Sequence, residues 1–370
     1  MFSRKSQVLK KAKCSAENRG KRMLKKVKYS IPYNGDLELM KWAIGSGQVY
    51  EVYFGGPAGD DYSSSDRESC GISCEDVMSL VKMCDENGVG RNFLMNKSML
   101  YFENIKKIFA YIKSLKDYGG ITSLTVADPM IVPYLKKGFP HVDIQSSVFL
   151  HIDNANKVRE AWKMGITGFC LDVSLNRNGP ELERIRDLKK YYPGMTIKLL
   201  ANHGCFQNCF YSLVHEDWLV LKDLCLAQTE KKYMLGNLAP EAYRCVFRMK
   251  HQADEIKRPF IRPEDVGYYE DNHLTDYIKI CYRVDSSPVL QKKMKAYFDR
   301  SYDGDLFDLA PANRDNCDMK CRNKNFPENF IDKVLYCGFL CEECRYCEKV
   351  ALGVLQQTQG DVNLSGMDFS

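Results

Sequence analysis

The run from Lys198 to Cys209, Lys-Leu-Leu-Ala-Asn-His-Gly-Cys-Phe-Gln-Asn-Cys, ends a strand-like stretch and delivers two thiols, Cys205 and Cys209, into the loop beyond it. Two more follow at Cys225 and Cys245. Four thiolates from one strand end and the segment after it can hold a [4Fe–4S] cluster or a zinc ion. Cysteine is also a common small buried residue; the C-x3-C pair in a Gly- and Asn-containing loop is what favours metal. A second set, Cys337, Cys341, Cys344 and Cys347, falls within eleven residues as C-x3-C-x2-C-x2-C. It reads as a second four-thiolate site, with a local disulfide pair as the alternative and Cys317 and Cys321 as competing ligands.

Compartment follows from the same residues. The chain has 16 cysteines in 370 residues, and its basic start is not followed by the apolar core of a secretory signal. A reducing, cytoplasmic setting is therefore expected, in which clustered thiols point to metal rather than to a disulfide framework. Cys14, Cys84 and Cys170 stand apart from the clusters and read as packing or surface residues. No apolar run is long enough for a membrane span. Hydrophobic content of 45% and charged content of 27% describe an ordinary globular chain. Residues 1–28 hold eleven Lys or Arg against Glu17 alone, whereas the whole chain carries +5. They read as a basic, mobile arm on a mildly acidic body, suited to RNA or anionic lipid, or simply to solubility.

These side chains need a scaffold. From Lys28 onward, short β-rich runs alternate with helical stretches, which signals βα units and a parallel sheet. Strands are expected at 29–33, 49–54, 91–96, 121–127, 141–145, 166–173, 195–201 and 276–281. Helices are expected near 36–44, 75–87, 103–118, 154–164, 180–192 and 288–300. Eight such strands fit a (β/α)8 TIM-like barrel over residues 29–300. A doubly wound sheet would usually carry a glycine-rich phosphate loop after its first strand, and Asn34-Gly35 is not one. In a barrel the chemistry sits at the carboxyl ends of the strands, which assigns Asn34, Gly55, Asn96, Asp128, Gln145, His203 and Arg283 to the working face. The long insertion at 205–275 reads as a cluster-binding lobe, and residues 301–370 as a Cys-rich carboxyl-terminal segment.

Taken together these marks resemble the peptidase U32 family, the collagenase-like protease group. Val52-Tyr53-Phe54-Gly55-Gly56 stands where that family ends its second strand in Val-Tyr-Phe-Gly-Gly. Asp128-Pro129 is similar to its Asp-Pro, Gln145-Ser146-Ser147 to its Ser-Thr-Gln segment, and His203-Gly204 to its His-Gly before the cluster cysteines. Its Phe-Lys-Ile-Glu-Gly-Arg is similar to Tyr277-Ile278-Lys279-Ile280-Cys281-Tyr282-Arg283, with Cys281 and Tyr282 in place of Glu and Gly. The resemblance runs from about Lys28 to Arg300. It implies a barrel holding one [4Fe–4S] cluster on four cysteines, here Cys205, Cys209, Cys225 and Cys245. It also implies oxygen-independent hydroxylation of RNA or a quinone precursor, with prephenate as a proposed oxygen donor, or else peptidase activity.

With that resemblance, redox or hydroxyl-transfer chemistry at a cluster fits best. The substrate would be RNA, a peptide or a small ring compound, and an electron donor protein is a conceivable partner. His203 reads as a proton donor or a packing residue, and Arg283 as a carboxylate clamp or a structural ion pair. Asp128 and Gln145 complete the candidate catalytic set. A peptidase lacks support from a Gly-x-Ser-x-Gly elbow or from a second His after His215-Glu216. The spacing of Cys337, Cys341 and Cys344 also matches radical SAM enzymes, but these cysteines follow the last barrel helix instead of the first strand. The reading from another class is a zinc-stabilised nucleic-acid-binding protein without catalysis.

Overall fold

Alternation of β-branched and aromatic residues builds eight short parallel strands, and each strand pairs with the next until β8 returns to β1. The computed structural model describes residues 26–56, 72–97, 102–213, 252–311 and 319–357. The strands are β1 Lys28–Pro32, β2 Val49–Phe54, β3 Gly90–Met95, β4 Ser123–Val126, β5 Asp143–Ser146, β6 Gly168–Cys170, β7 Thr196–Leu200 and β8 Tyr277–Lys279. Between and after them lie α1 Leu37–Gly45, α2 Cys74–Glu86, α3 Phe102–Ser114, α4 Val132–Gly138, α5 Ala155–Met164, α6 Gly179–Asp187, α7 Val266–Asp271 and α8 Ser287–Asp299. The expected (β/α)8 barrel is the fold.

Helix starts follow the capping residues. Asp36 accepts from the Leu39 N–H at 2.9 Å, and Ser73 and Asp76 form a reciprocal capping box before α2. Asn154 accepts from both Asn156 and Lys157 N–H groups at 3.0 Å. Two helices up to α8 were absent from the expected order, α7 within the expected lobe and α4. The seven residues of α4 contain Pro133 and end at Gly138; proline is tolerated in the first turn, so a composition that looks like a loop forms two turns of helix.

The barrel interior is polar at its middle. Glu51 on β2 accepts from Ser30 at 2.7 Å and from Gln145 at 3.1 Å, and is ion-paired to Lys198 on β7. Lys198 also donates to Gln145 at 2.6 Å. Burial alone would raise the Glu51 carboxyl, but the Lys198 charge and these hydrogen bonds outweigh it and hold it below its ordinary value. Gly168 on β6 makes room for this layer, since a Cβ there would stand 2.8 Å from the Gln145 side chain. The outward faces of the strands carry the apolar residues, such as Ile31, Val52, Ile197 and Ile278, that pack under the helices.

Beyond α8, the chain adds β9 Met319–Cys321, α9 Phe330–Leu335, α10 Cys341–Cys344, α11 Tyr346–Val354 and β10 Leu355–Gln357. β9 and β10 pair antiparallel. Phe330, Val334, Leu335, Val350 and Val354 belong to the same hydrophobic core as the barrel helices. Phe330 stacks on Phe260 at 6.2 Å, and the Arg177 guanidinium lies over both rings, 4.9 Å from Phe260 and 5.4 Å from Phe330. The basic arm lies almost wholly outside the described residues, and so does most of the expected lobe, residues 214–251. No described helix is long and apolar enough to cross a membrane.

Candidate active site

The carboxyl ends of the strands enclose a small cavity of about 80 Å³, lined by Tyr53, Asn96, His203, Lys279, Cys281 and Arg283 among others. Tyr53 is fixed by donating to the Ile280 carbonyl at 2.7 Å, and the Lys279 ammonium lies 4.1 Å from its ring centroid. Burial, with the Lys198 charge adding to it and Cys170 opposing it, holds Lys279 below the usual lysine range. Arg283 reaches the cavity because the preceding residue turns the chain sharply: Tyr282 has φ +74°, a left-handed conformation that favours glycine. Lys293, paired to Asp285 at 2.6 Å, lies over the Tyr282 ring and helps hold that turn.

A larger cavity of about 470 Å³ adjoins the first and shares Val148, Phe149 and His203 with it. Cys205 and Cys209 are both in its wall. The His203 Nδ1 accepts from the Cys205 N–H at 3.3 Å, so in the neutral ring the proton sits on Nε2. His151 and Asp172, which line the same cavity, pair at 2.9 Å. Burial would raise the Asp172 carboxyl, but hydrogen bonds from His151 and Ser174 hold it below its ordinary value. His151 is itself in the left-handed region at φ +44°. A carboxylate-oriented imidazole of this kind is a proton-transfer device.

The carboxyl-terminal cysteines form a third feature. Cys337, Cys341, Cys344 and Cys347 line one cleft of about 660 Å³. Three of them also line a second cleft of about 380 Å³, whose other wall is Phe206, Gln207 and Asn208, the residues between Cys205 and Cys209. Arg177 stands in that wall, 3% exposed. Its Nη1 donates to the Ile256 carbonyl at 2.7 Å, while its Nε and Nη2 meet no acceptor among the described residues. Burial brings its pKa down to about 10, with Cys347 as the leading opposing influence. Four thiols and a buried cation whose Nε and Nη2 have N–H groups to spare suit an anionic thiolate-bound metal or cluster, whose sulfurs accept such bonds. Among the described residues, no three His, Cys, Asp or Glu side chains are drawn into a closed ligand set.

The sequence-predicted residues therefore divide. His203, Arg283, Cys205 and Cys209 surround the two adjoining cavities, and Cys337, Cys341, Cys344 and Cys347 share one cleft. Cys225, Cys245 and Cys317 lie outside the described residues. Cys321 is buried in β9, where burial pushes its thiol up, and it lines neither cleft. Gln145 belongs to the interior polar layer below the mouth, because its amide is taken up by Glu51 and Lys198. Asp128 caps the turn after β4, accepting from Met130 N–H at 2.8 Å, and lines neither strand-end cavity. Lys279, His151 and Asp172 were not foreseen. The alternation Ile278-Lys279-Ile280 was the available signal for the first, since it turns the lysine inward when the isoleucines pack under helices.

Comparison with known proteins gives a family model, a relative and structural neighbours. The family model described as Peptidase family U32 matches residues 35–263, more than half of the chain. A relative from Methanocaldococcus jannaschii, named "Uncharacterized protease MJ1657", is 23% identical over 345 residues, covering 87% of this chain and 97% of its own. Among solved structures, that of the U32 peptidase Mk0906 aligns with a TM-score of 0.44 at 14% identity, over 72% of this chain and 96% of that one. The carboxyl transferase domain of Rhizobium etli pyruvate carboxylase aligns at 0.30 and 10% identity, over 53% of this chain and 39% of that one.

Proposed function

This chain belongs to peptidase family U32, and from that premise we propose that it is an iron–sulfur enzyme performing an oxygen-independent hydroxylation or related redox modification of RNA, a peptide or a small ring compound. The observation that carries the reading is the meeting of Cys205, Cys209, His203 and the His151–Asp172 pair around one strand-end cavity. Cys205 and Cys209, with Cys225 and Cys245, would hold a [4Fe–4S] cluster, which supplies single-electron transfer when bound. The chain's own groups do the rest. His151, oriented by Asp172, exchanges a proton with a substrate hydroxyl or carbon acid in the cavity. His203 lines the same space. Val148 and Phe149 give the cavity an apolar side that excludes water, and Arg283 positions the substrate from the mouth. Cys337, Cys341, Cys344 and Cys347 would hold a second cluster or zinc, with Arg177 offsetting its negative charge.

Anaerobic purification with iron and sulfide assays tests this. Brown protein with about eight irons per chain is expected, twice the four of a single cluster. The double variant Cys344→Ala/Cys347→Ala should lose half of them. Colourless protein containing zinc and no iron would return the chain to the zinc-stabilised binding class.

A second reading rests on one observation, the His151–Asp172 pair in the same cavity as two thiols, which is the donor set of a thiol peptidase. The relative's name as a protease agrees with it. Hydrolysis of gelatin that survives iron chelation but is lost on iodoacetamide treatment and in both Cys205→Ser and His151→Ala would establish it. Absence of hydrolysis by the wild type removes it.

A further inference from the structure

Among the described residues that line its cavity, the mouth of the barrel carries two cations and no carboxylate. Lys279 is half-buried, and among the described residues its ammonium has the Tyr53 ring as a neighbour and no ion pair. Glu51, the carboxylate that shares the barrel interior with it, is already engaged by Lys198, Ser30 and Gln145. A charge taken out of water needs a counter-charge, and an aromatic face supplies only part of one. Arg283 lines the same cavity, its guanidinium packed so closely over Gly55 that a Cβ there would stand 2.9 Å from Nη1. The glycine at the end of β2 is thus what lets the arginine reach the mouth.

We propose that Lys279 and Arg283 form a subsite for one oxyanion group of the substrate, a carboxylate or a phosphate. The cavity of about 80 Å³ is small beside the adjoining one of about 470 Å³, so it suits a headgroup and the larger one the rest of a substrate. The remainder extends past Phe149 and His203 into the larger cavity, where Cys205 and Cys209 stand. An oxyanion held at Lys279 therefore presents the group attached to it to the cysteine loop. This deepens the reading above and rests on it for the reaction that follows, whereas the binding itself needs no metal.

Calorimetric titration of the full-length chain, with metal content assayed on the same sample, tests the subsite, using benzoate and inorganic phosphate as separate probes. Saturable binding of at least one is expected, and the tighter probe identifies the headgroup as carboxylate or phosphate. Lys279→Met should weaken that binding by about 10- to 100-fold, the loss of one hydrogen-bonded charge. Lys279→Arg should retain most of it. Gly55→Ala, which pushes the flexible guanidinium aside without removing a charge, should weaken binding while leaving thermal unfolding near that of the wild type. The subsite is overturned if neither probe binds the wild type at millimolar concentration, or if Lys279→Met binds as tightly as the wild type. Iron-free protein that binds a probe in a Lys279-dependent way would support the subsite and sink the iron–sulfur reading; brown protein that binds neither would do the reverse.

Discussion

At the scale of single residues, the barrel interior turns on Glu51 and Lys198, both nearly inaccessible to solvent. Removing one member of a buried pair leaves the other uncompensated, so Lys198→Met should lose about 3–5 kcal/mol in denaturant unfolding. The pair also sets a pH dependence. Glu51 sits below its ordinary value of 4.5 when folded, so its contribution is fully present above 4.5 and is lost as pH falls through the lower folded value. The stability gap between wild type and Lys198→Met should therefore narrow on acidification below 4.5; a gap that stays constant would assign the pair no linkage. Gly168→Val addresses the same layer from the opposite strand. Its side chain would enter the space of Gln145 and Thr196, and an overpacked interior costs about 1–3 kcal/mol. An unchanged melting midpoint would mean that the polar layer yields easily.

Elements were more legible than side chains. The order of strands and helices could be read because a parallel barrel alternates two periodicities, and cap residues mark where one gives way to the other. Asn154→Ala, which removes an acceptor for two N–H groups of α5, should cost about 1 kcal/mol; Asn154→Ser should recover most of it. Element lengths were less legible: β6 and β8 have three residues each, where longer runs were expected. Those flanking residues have strand-like composition, but beyond Cys170 and Lys279 the chain leaves the ladder to form the walls of the mouth. The site divided in the same way. Cys205 and Cys209 could be found because two cysteines in one loop are conspicuous, and Arg283 because a family motif ends on it. His151 and Asp172 could not, since their pairing joins the loops after β5 and β6 across 21 residues. Lys279 sat in plain view as a charged residue in a strand. It acquires meaning only once the barrel closes and the isoleucines beside it turn outward.

At the scale of the whole molecule, residues 319–357 are held to the barrel by a shared core and not by a tether alone. Phe330 is 1% exposed and stacks between Phe260 and Tyr346, with Arg177 and Arg262 against its ring. Phe330→Ala should cost about 3–5 kcal/mol and lower a single unfolding transition. Two separated transitions would instead mean that this segment melts by itself. Arg177, beneath the same contact, has one further consequence. A guanidinium buried with its Nε and Nη2 unmatched by any acceptor among the described residues raises the free energy of the folded chain until an acceptor arrives. Whatever anionic species binds at the neighbouring thiols discharges that penalty along with its own binding energy, so occupancy and melting temperature are thermodynamically linked. Loading at a hundredfold excess over the dissociation constant corresponds to about 2.7 kcal/mol. The chain would then report on its own loading through its thermal midpoint, which a differential scan can follow without knowledge of the substrate.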